Sequence, residues 1–122
     1  MKQIKIAQAY DVTNRLSKDN NLTIAGKWGL YKLRKDLLSH YEFYIEESRN
    51  LFNTYKTTTT DTGSIKFESP EYADEYLAQQ ANIDNFDVDV SFEKQQLKLS
   101  DIPNISIQQI ELLDDFIEFL PE

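Results

Sequence analysis

Apolar residues recur along this chain at two different intervals, and the switches between them mark its elements. In "AQAYDVTNRLSK" the residues Ala9, Val12 and Leu16 fall three and four apart, the spacing of a short amphipathic helix. The preceding "KQIKI" alternates polar and apolar, which suits a short strand or the lead-in to that helix, and Asp19-Asn20-Asn21 then breaks the run. Two starts are open for the next helix. Thr23 can cap a turn beginning at Ile24, or the chain can stay irregular through Gly26 and Gly29, a pair we read as a loop in preference to a seat for another helix. From Leu30 the pattern is unbroken: Leu30, Leu33, Leu37, Tyr41, Tyr44, Ser48, Leu51 and Tyr55 form one helical stripe, widened by Leu38, Ile45 and Phe52. A helix over 30–56 would run about 40 Å, and one starting at Ile24 about 50 Å. A compact chain of this length is only about 35 Å across, so the helix either forms a central spine or projects apolar residues that need covering.

The pattern then changes. "KTTTTDTGSIKFES" favours extended backbone around a turn at Asp61 and Gly63, fitting a β-hairpin or a loop. Ser69-Pro70-Glu71 reads as a helix start, and the helix that follows, to about Asn82, would bury Tyr72, Ala73, Tyr76 and Leu77. In "NFDVDVSF" the alternation is strict, with Phe86, Val88, Val90 and Phe92 on one face and Asp87 and Asp89 on the other, the best strand pattern in the chain. "QQLKLSDIP" continues that strand or pairs back onto it. Ser106 and Gln109 form a capping box for a C-terminal helix carrying Ile107, Ile110, Leu113, Phe116, Ile117 and Leu120. The expected fold is therefore one α+β domain over 1–122: a long spine helix, two or three shorter helices, and a small antiparallel sheet from residues 57–68 and 84–100. There is no internal repeat.

Composition sharpens the picture in three ways. Seven tyrosines, seven phenylalanines and 40% hydrophobic residues mark a chain able to build a core. With no cysteine and one histidine, a disulfide, a thiolate nucleophile and a zinc site of the usual composition are excluded. The opening "MKQIKIAQAYDVTNRL" lacks the apolar core of a signal peptide, and no stretch approaches the roughly 20 apolar residues of a membrane span, so a cytoplasmic protein with no membrane partner is expected. The sequons at Asn21 and Asn104 carry no meaning there.

Charge is unevenly placed within the net −8. Residues 1–56 carry ten Lys/Arg against six Asp/Glu, a net +4, while 57–122 carry three against fifteen, a net −12. Such a block solvates a surface or meets a basic partner. Nucleic acid is disfavoured as a ligand of the whole, because that affinity comes from neutralised phosphates. The one patch suited to phosphates is Lys27, Lys32, Arg34, Lys35 and Arg49 interleaved with Trp28 and Tyr31, for which pairing with the chain's own acidic half is the simpler account.

No catalytic constellation emerges. His40 lies mid-helix and reads as a surface or boundary residue. Asp87 and Asp89 share a strand face but lack the glycine of a calcium loop, and Glu46 and Glu47 diverge by about 100° on a helix. The three glycines, 26, 29 and 63, make no phosphate-cradling loop.

The order of "LRKDLLSHYEFYIEESRNLFNTYK", a threonine-rich turn containing Gly63, "EYADEYLAQQ", "VDV" and a closing "ISIQQIELLDDFIEF" resembles small proteins of unassigned function encoded by phages and prophages of Gram-positive bacteria. It covers residues 33–119, through Glu46, Arg49, Leu51, Tyr55, Gly63, Tyr72 and Val88. The resemblance implies a viral origin and assigns no site. The expected function is that of a non-enzymatic phage protein that binds another protein, host or phage, through its acidic second half; an inhibitor of a host or defence protein, of the anti-CRISPR type, is its sharpest form. Asp87, Asp89, Asp114 and Asp115 are the candidate acidic contacts. The alternative is a virion or assembly component that self-associates through its long helix, with Trp28, Leu51 and Tyr55 at the interface. No cofactor is expected.

Overall fold

The computed structural model describes residues 1–55, 58–59, 61–67 and 69–122. Among these residues, four α-helices run in chain order as α1 (Gln3–Leu16), α2 (Ile24–Thr54), α3 (Pro70–Asp84) and α4 (Ile107–Leu113). Four short strands accompany them: β1 (Thr58–Thr59), β2 (Ile65–Lys66), β3 (Gln95–Lys98) and β4 (Ile117–Leu120).

Thr23 settles where the long helix begins. Its backbone is extended and its Oγ1 accepts the Gly26 N–H at 3.0 Å, the bond expected of an N-cap, so α2 starts at Ile24 and contains both glycines. The same hydroxyl donates to Asp101 Oδ1 at 2.7 Å, and the Thr23 N–H donates to the Asp101 carbonyl. The Thr23 hydroxyl, joined by the Lys98 N–H on Oδ2 at 3.0 Å, holds the Asp101 carboxyl below its ordinary value. At 31 residues α2 is about 46 Å long.

Gly26 and Gly29 are not a loop, and what rests on them is not an α-helix but the short 3₁₀ turn Leu99–Asp101 and the strand before it. A Cβ at Gly26 would lie 2.3 Å from the Asp101 carbonyl oxygen, and one at Gly29 would lie 2.9 Å from Leu97 Cδ1. The missing side chains admit the β3 region, whose return along α2 the linear sequence does not show.

The core forms between α1 and the first half of α2. Ile6, Ala9, Val12 and Leu16 meet Leu30, Leu33 and Leu37, with Leu97, Ile102, Leu113, Phe116 and Ile117 closing the other side. Gln3 is buried here too, and its Nε2 donates to the His40 carbonyl of α2 at 3.0 Å. The "KQIKI" segment is thus the first turn of α1, preceded by a single bridge from Lys2 to Asp87.

The sheet departs from expectation. β1 and β2 do pair antiparallel, as a hairpin would, with Gly63 at φ 83° in the turn between them. They share nothing with residues 84–100, however: β3 pairs with β4, and the pairing is parallel. Period-two alternation identifies a strand but not its partner or direction. A parallel neighbour requires a crossover of a dozen or more residues, which 99–116 supply with a 3₁₀ turn and α4.

Two assignments change for related reasons. The C-terminal helix stops at Leu113, and Ile117–Leu120 is a strand. Asp114 and Asp115 put two carboxylates at the negative end of α4, where they oppose continuation, and the Phe116 N–H closes the turn on the Leu113 carbonyl at 2.9 Å. Residues 86–92 form no ladder beyond the Lys2–Asp87 bridge. Val88, Val90 and Phe92 do pack against the core, but Phe86 is exposed, and the backbone is satisfied by the start of α1: Val88 N–H donates to the Met1 carbonyl and Gln3 N–H to the Phe86 carbonyl, both at 2.9 Å.

Candidate functional site

The stripe on the second half of α2 is covered by the chain itself. α3 lies against it, and the Tyr44 hydroxyl donates to Asp84 Oδ1 at 2.7 Å. Gln80 Nε2 joins the same network, donating to Asp84 Oδ1 at 2.9 Å and to Ser48 Oγ at 3.3 Å. The tyrosines of 55, 72 and 76 then pack edge to face, with Tyr55 centroids 5.6 Å from Tyr72 and 6.2 Å from Tyr76. Leu51 and Tyr55 are half-buried within the chain. On α3 the burial falls on Tyr76, while Leu77 is exposed.

Burial, followed by the bond to Asp84, pushes the Tyr44 phenol up to about 12. Because the neutral phenol is favoured in the folded state, its contribution to stability is whole below pH 10, the ordinary value, and fades as pH rises toward 12. Ultraviolet titration should show one tyrosinate appearing near that value, absent from Tyr44→Phe, whose unfolding midpoint should also fall less steeply with pH above 10. A Tyr44 that titrates with the ordinary tyrosines would remove the α2–α3 lock.

The four candidate carboxylates are exposed and only partly free. Asp87 lies 3.8 Å from the Met1 ammonium, and Asp115 pairs with Lys5. Asp89 and Asp114 form no ion pair among the described residues. The basic and acidic halves thus do meet inside one chain, through Lys5 and through Lys32, whose Nζ is 2.6 Å from Glu93.

The first half of α2 presents the opposite situation to the second. Its buried side faces the core, and its outer side carries Ile24 at 79% exposure, Trp28 at 59% and Tyr31 at 48%, one turn after another. Trp28 and Tyr31 stack with centroids 5.7 Å apart, and Lys32 Nζ sits 6.0 Å from the Trp28 ring, at the limit of a cation–π contact. Clefts flank Tyr31 on two sides. One, of about 370 Å³, includes Trp28, Lys32, Asp36 and Glu93; the other, of about 270 Å³, is lined by Tyr10, Tyr31, Arg34, Lys35 and Leu38. Of the seven candidate contacts, only Trp28 belongs to this surface. The sequence held a signal for the rest: Ile24, Trp28, Tyr31, Lys35 and Leu38 also follow steps of four and three, a second helical stripe beside the buried one.

Among the described residues, no group of three or more His, Asp or Glu is placed to hold a metal, and no helix is long and apolar enough to cross a membrane. Comparison with known protein families, with curated proteins and with solved structures finds no match.

Proposed function

We propose that this protein works without catalysis, by docking another protein on the outer face of the first half of α2. The exposed run of Ile24, Trp28 and Tyr31 carries the reading. Large aromatic side chains gathered on one face, held by a helix whose other side is fully buried, are the usual anchors of an interface, because they desolvate much area for little side-chain ordering. A rigid helix also keeps the anchors in register before binding, which reduces the entropy lost on association. The exposed carboxylates at 87, 89, 114 and 115 add a second, steering surface toward a partner with basic groups. An inhibitor of a host or defence protein, the sharpest form of this proposal, needs only such surfaces.

Site-specific photo-crosslinking in cells of the natural source tests it, with the photoreactive residue at Trp28 and, as a control, at exposed Asn53 near the far end of α2. A second protein should be captured from position 28 and not from 53. Light scattering of the purified protein should give the monomer mass of 14.3 kDa. A doubled mass that reverts to monomer in Trp28→Glu would transfer the reading to self-association through α2, and equal capture from both positions would sink the assigned face.

A further inference from the structure

The two clefts beside Tyr31 share Lys35 and differ in the anions that line them. In the larger, Lys32 is already neutralised by Glu93, and Asp36 Oδ2 accepts the Glu93 N–H at 3.1 Å. The smaller is lined by Arg34 and Lys35 and by no carboxylate, and neither cation forms an ion pair among the described residues. Among the described residues, Arg34 Nη1 donates to the neutral Asn14 Oδ1 at 3.5 Å, and its buried Nε has no hydrogen-bond partner. Lys35 is exposed and forms no ion pair among the described residues. The carboxylate nearest in sequence on the facing helix, Asp11, is engaged by the Tyr41 hydroxyl at 3.0 Å. Apolar walls complete the cleft: Leu38, Tyr31, and the ring of Tyr10, fixed by stacking on Tyr41 with centroids 4.1 Å apart.

A guanidinium and an ammonium with no carboxylate partner among the described residues, set beside aromatic walls, are chemically suited to a carboxylate that arrives with an apolar neighbour. We infer that the cleft between Tyr10 and Tyr31 takes an acidic segment of a partner protein, Arg34 and Lys35 holding an Asp or Glu side chain while an adjoining apolar or aromatic side chain lies on Tyr31 and Leu38. This rests on the binding-protein reading and names the partner's chemistry. Acidic protein is favoured over nucleic acid by extent. The basic run from Lys27 to Lys35 spans about 12 Å of helix, so a polyphosphate would run beyond it onto a chain of net charge −8. A short acidic segment stays within the reach of local charge, about 8 Å at physiological salt.

Trp28 is the only tryptophan and stacks on Tyr31, so its emission reports events in the cleft. Titration with a random copolymer of Glu and Tyr, exciting tryptophan selectively, should give a saturable change that weakens as salt is raised. Arg34→Gln and Lys35→Glu should each reduce the apparent affinity about tenfold or more, the range for hydrogen bonds to charged groups. Lys66→Glu, on the exposed hairpin, makes the same charge change as Lys35→Glu and should leave affinity within about twofold. Since Lys35 is exposed, its variant tests the site even if Arg34→Gln unfolds. An equal loss in Lys66→Glu, no saturable response, or tighter binding of an oligothymidylate than of the copolymer would overturn the assignment. If the copolymer fails while position 28 still crosslinks to a partner, the carboxylate chemistry falls and the binding-protein reading stands. A bound copolymer with no crosslinked partner would instead uphold the chemistry of the cleft and remove the binding-protein reading.

Discussion

Phe116→Ala is expected to lower stability by about 4 kcal/mol, within the range for large aromatic truncations in cores, and the thermal midpoint by about 15 °C. Phe116 is fully buried and is the largest such side chain in the protein. It fills the junction where α4 turns into β4, with its ring centroid 5.0 Å from that of Phe92. Its backbone is equally committed: the carbonyl accepts the Gln95 N–H at 3.0 Å, which sets the register of β3 on β4. Collapse around the lost ring is therefore restricted by the strand pair, and the cavity term persists in full. Phe86→Ala is the matched control. That ring is 58% exposed, and its removal should change the denaturation midpoint by less than about 1 kcal/mol equivalent. Comparable losses at the two positions, measured by chemical denaturation, would contradict the core assigned to this fold.

Gly26→Ala carries the second large effect, and its sign runs against helix propensity. In an unobstructed helix, alanine is favoured over glycine by about 1 kcal/mol. Here the new methyl would stand 2.3 Å from the Asp101 carbonyl oxygen, a backbone atom held by the Thr23 N–H and unable to swing aside. Relief requires shifting the 3₁₀ turn away from α2, which breaks the Thr23–Asp101 bonds as well, so a net loss of about 2–3 kcal/mol is expected. Gly29→Ala meets side-chain atoms of Leu97 and no backbone atom, and should cost less than Gly26→Ala. Calorimetry on the two variants decides the matter: a Gly26→Ala protein no less stable than Gly29→Ala would mean the 3₁₀ turn does not rest on the helix.

Much of the helical content was legible because it depends on local terms. The stripe from Leu30 to Tyr55 and the Ser106–Gln109 capping box are each specified within a few residues, whereas the Thr23 cap is one of two open starts and the glycines after it read as a loop. The misread parts depend on what arrives from elsewhere in the chain. Nothing within 86–92 states that the start of α1 will take its backbone bonds, and nothing in "IEFL" states that a parallel partner waits at 95–98. The apolar spacing through Phe116 and Ile117 suits a helix as well as a turn and strand, and the acidic pair at 114–115 was the only local sign of the stop. The candidate surface divided the same way. Trp28 could be picked out by residue type, whereas the packing of Tyr55 on Tyr72 and Tyr76 of α3 is a tertiary fact, and the cleft between Tyr10 and Tyr31 depends on where α1 crosses α2.

The anchoring of α2 is lopsided, and this bears on how the molecule breathes. Every fully buried position of the helix lies between Gly26 and Leu37, against α1 and the β3 region, while its second half meets α3 through half-buried side chains and a polar network. One continuous helix is thus shared between two cooperative units of unequal strength. Amide protons near Leu33 would exchange only through global opening, and those beyond Ser48 through a cheaper event in which α3 lifts and the last turns of α2 unwind. The aromatic face at Trp28 and Tyr31 sits on the more deeply anchored unit, so the surface proposed to meet a partner would stay ordered while the opposite end of the same helix opened and closed.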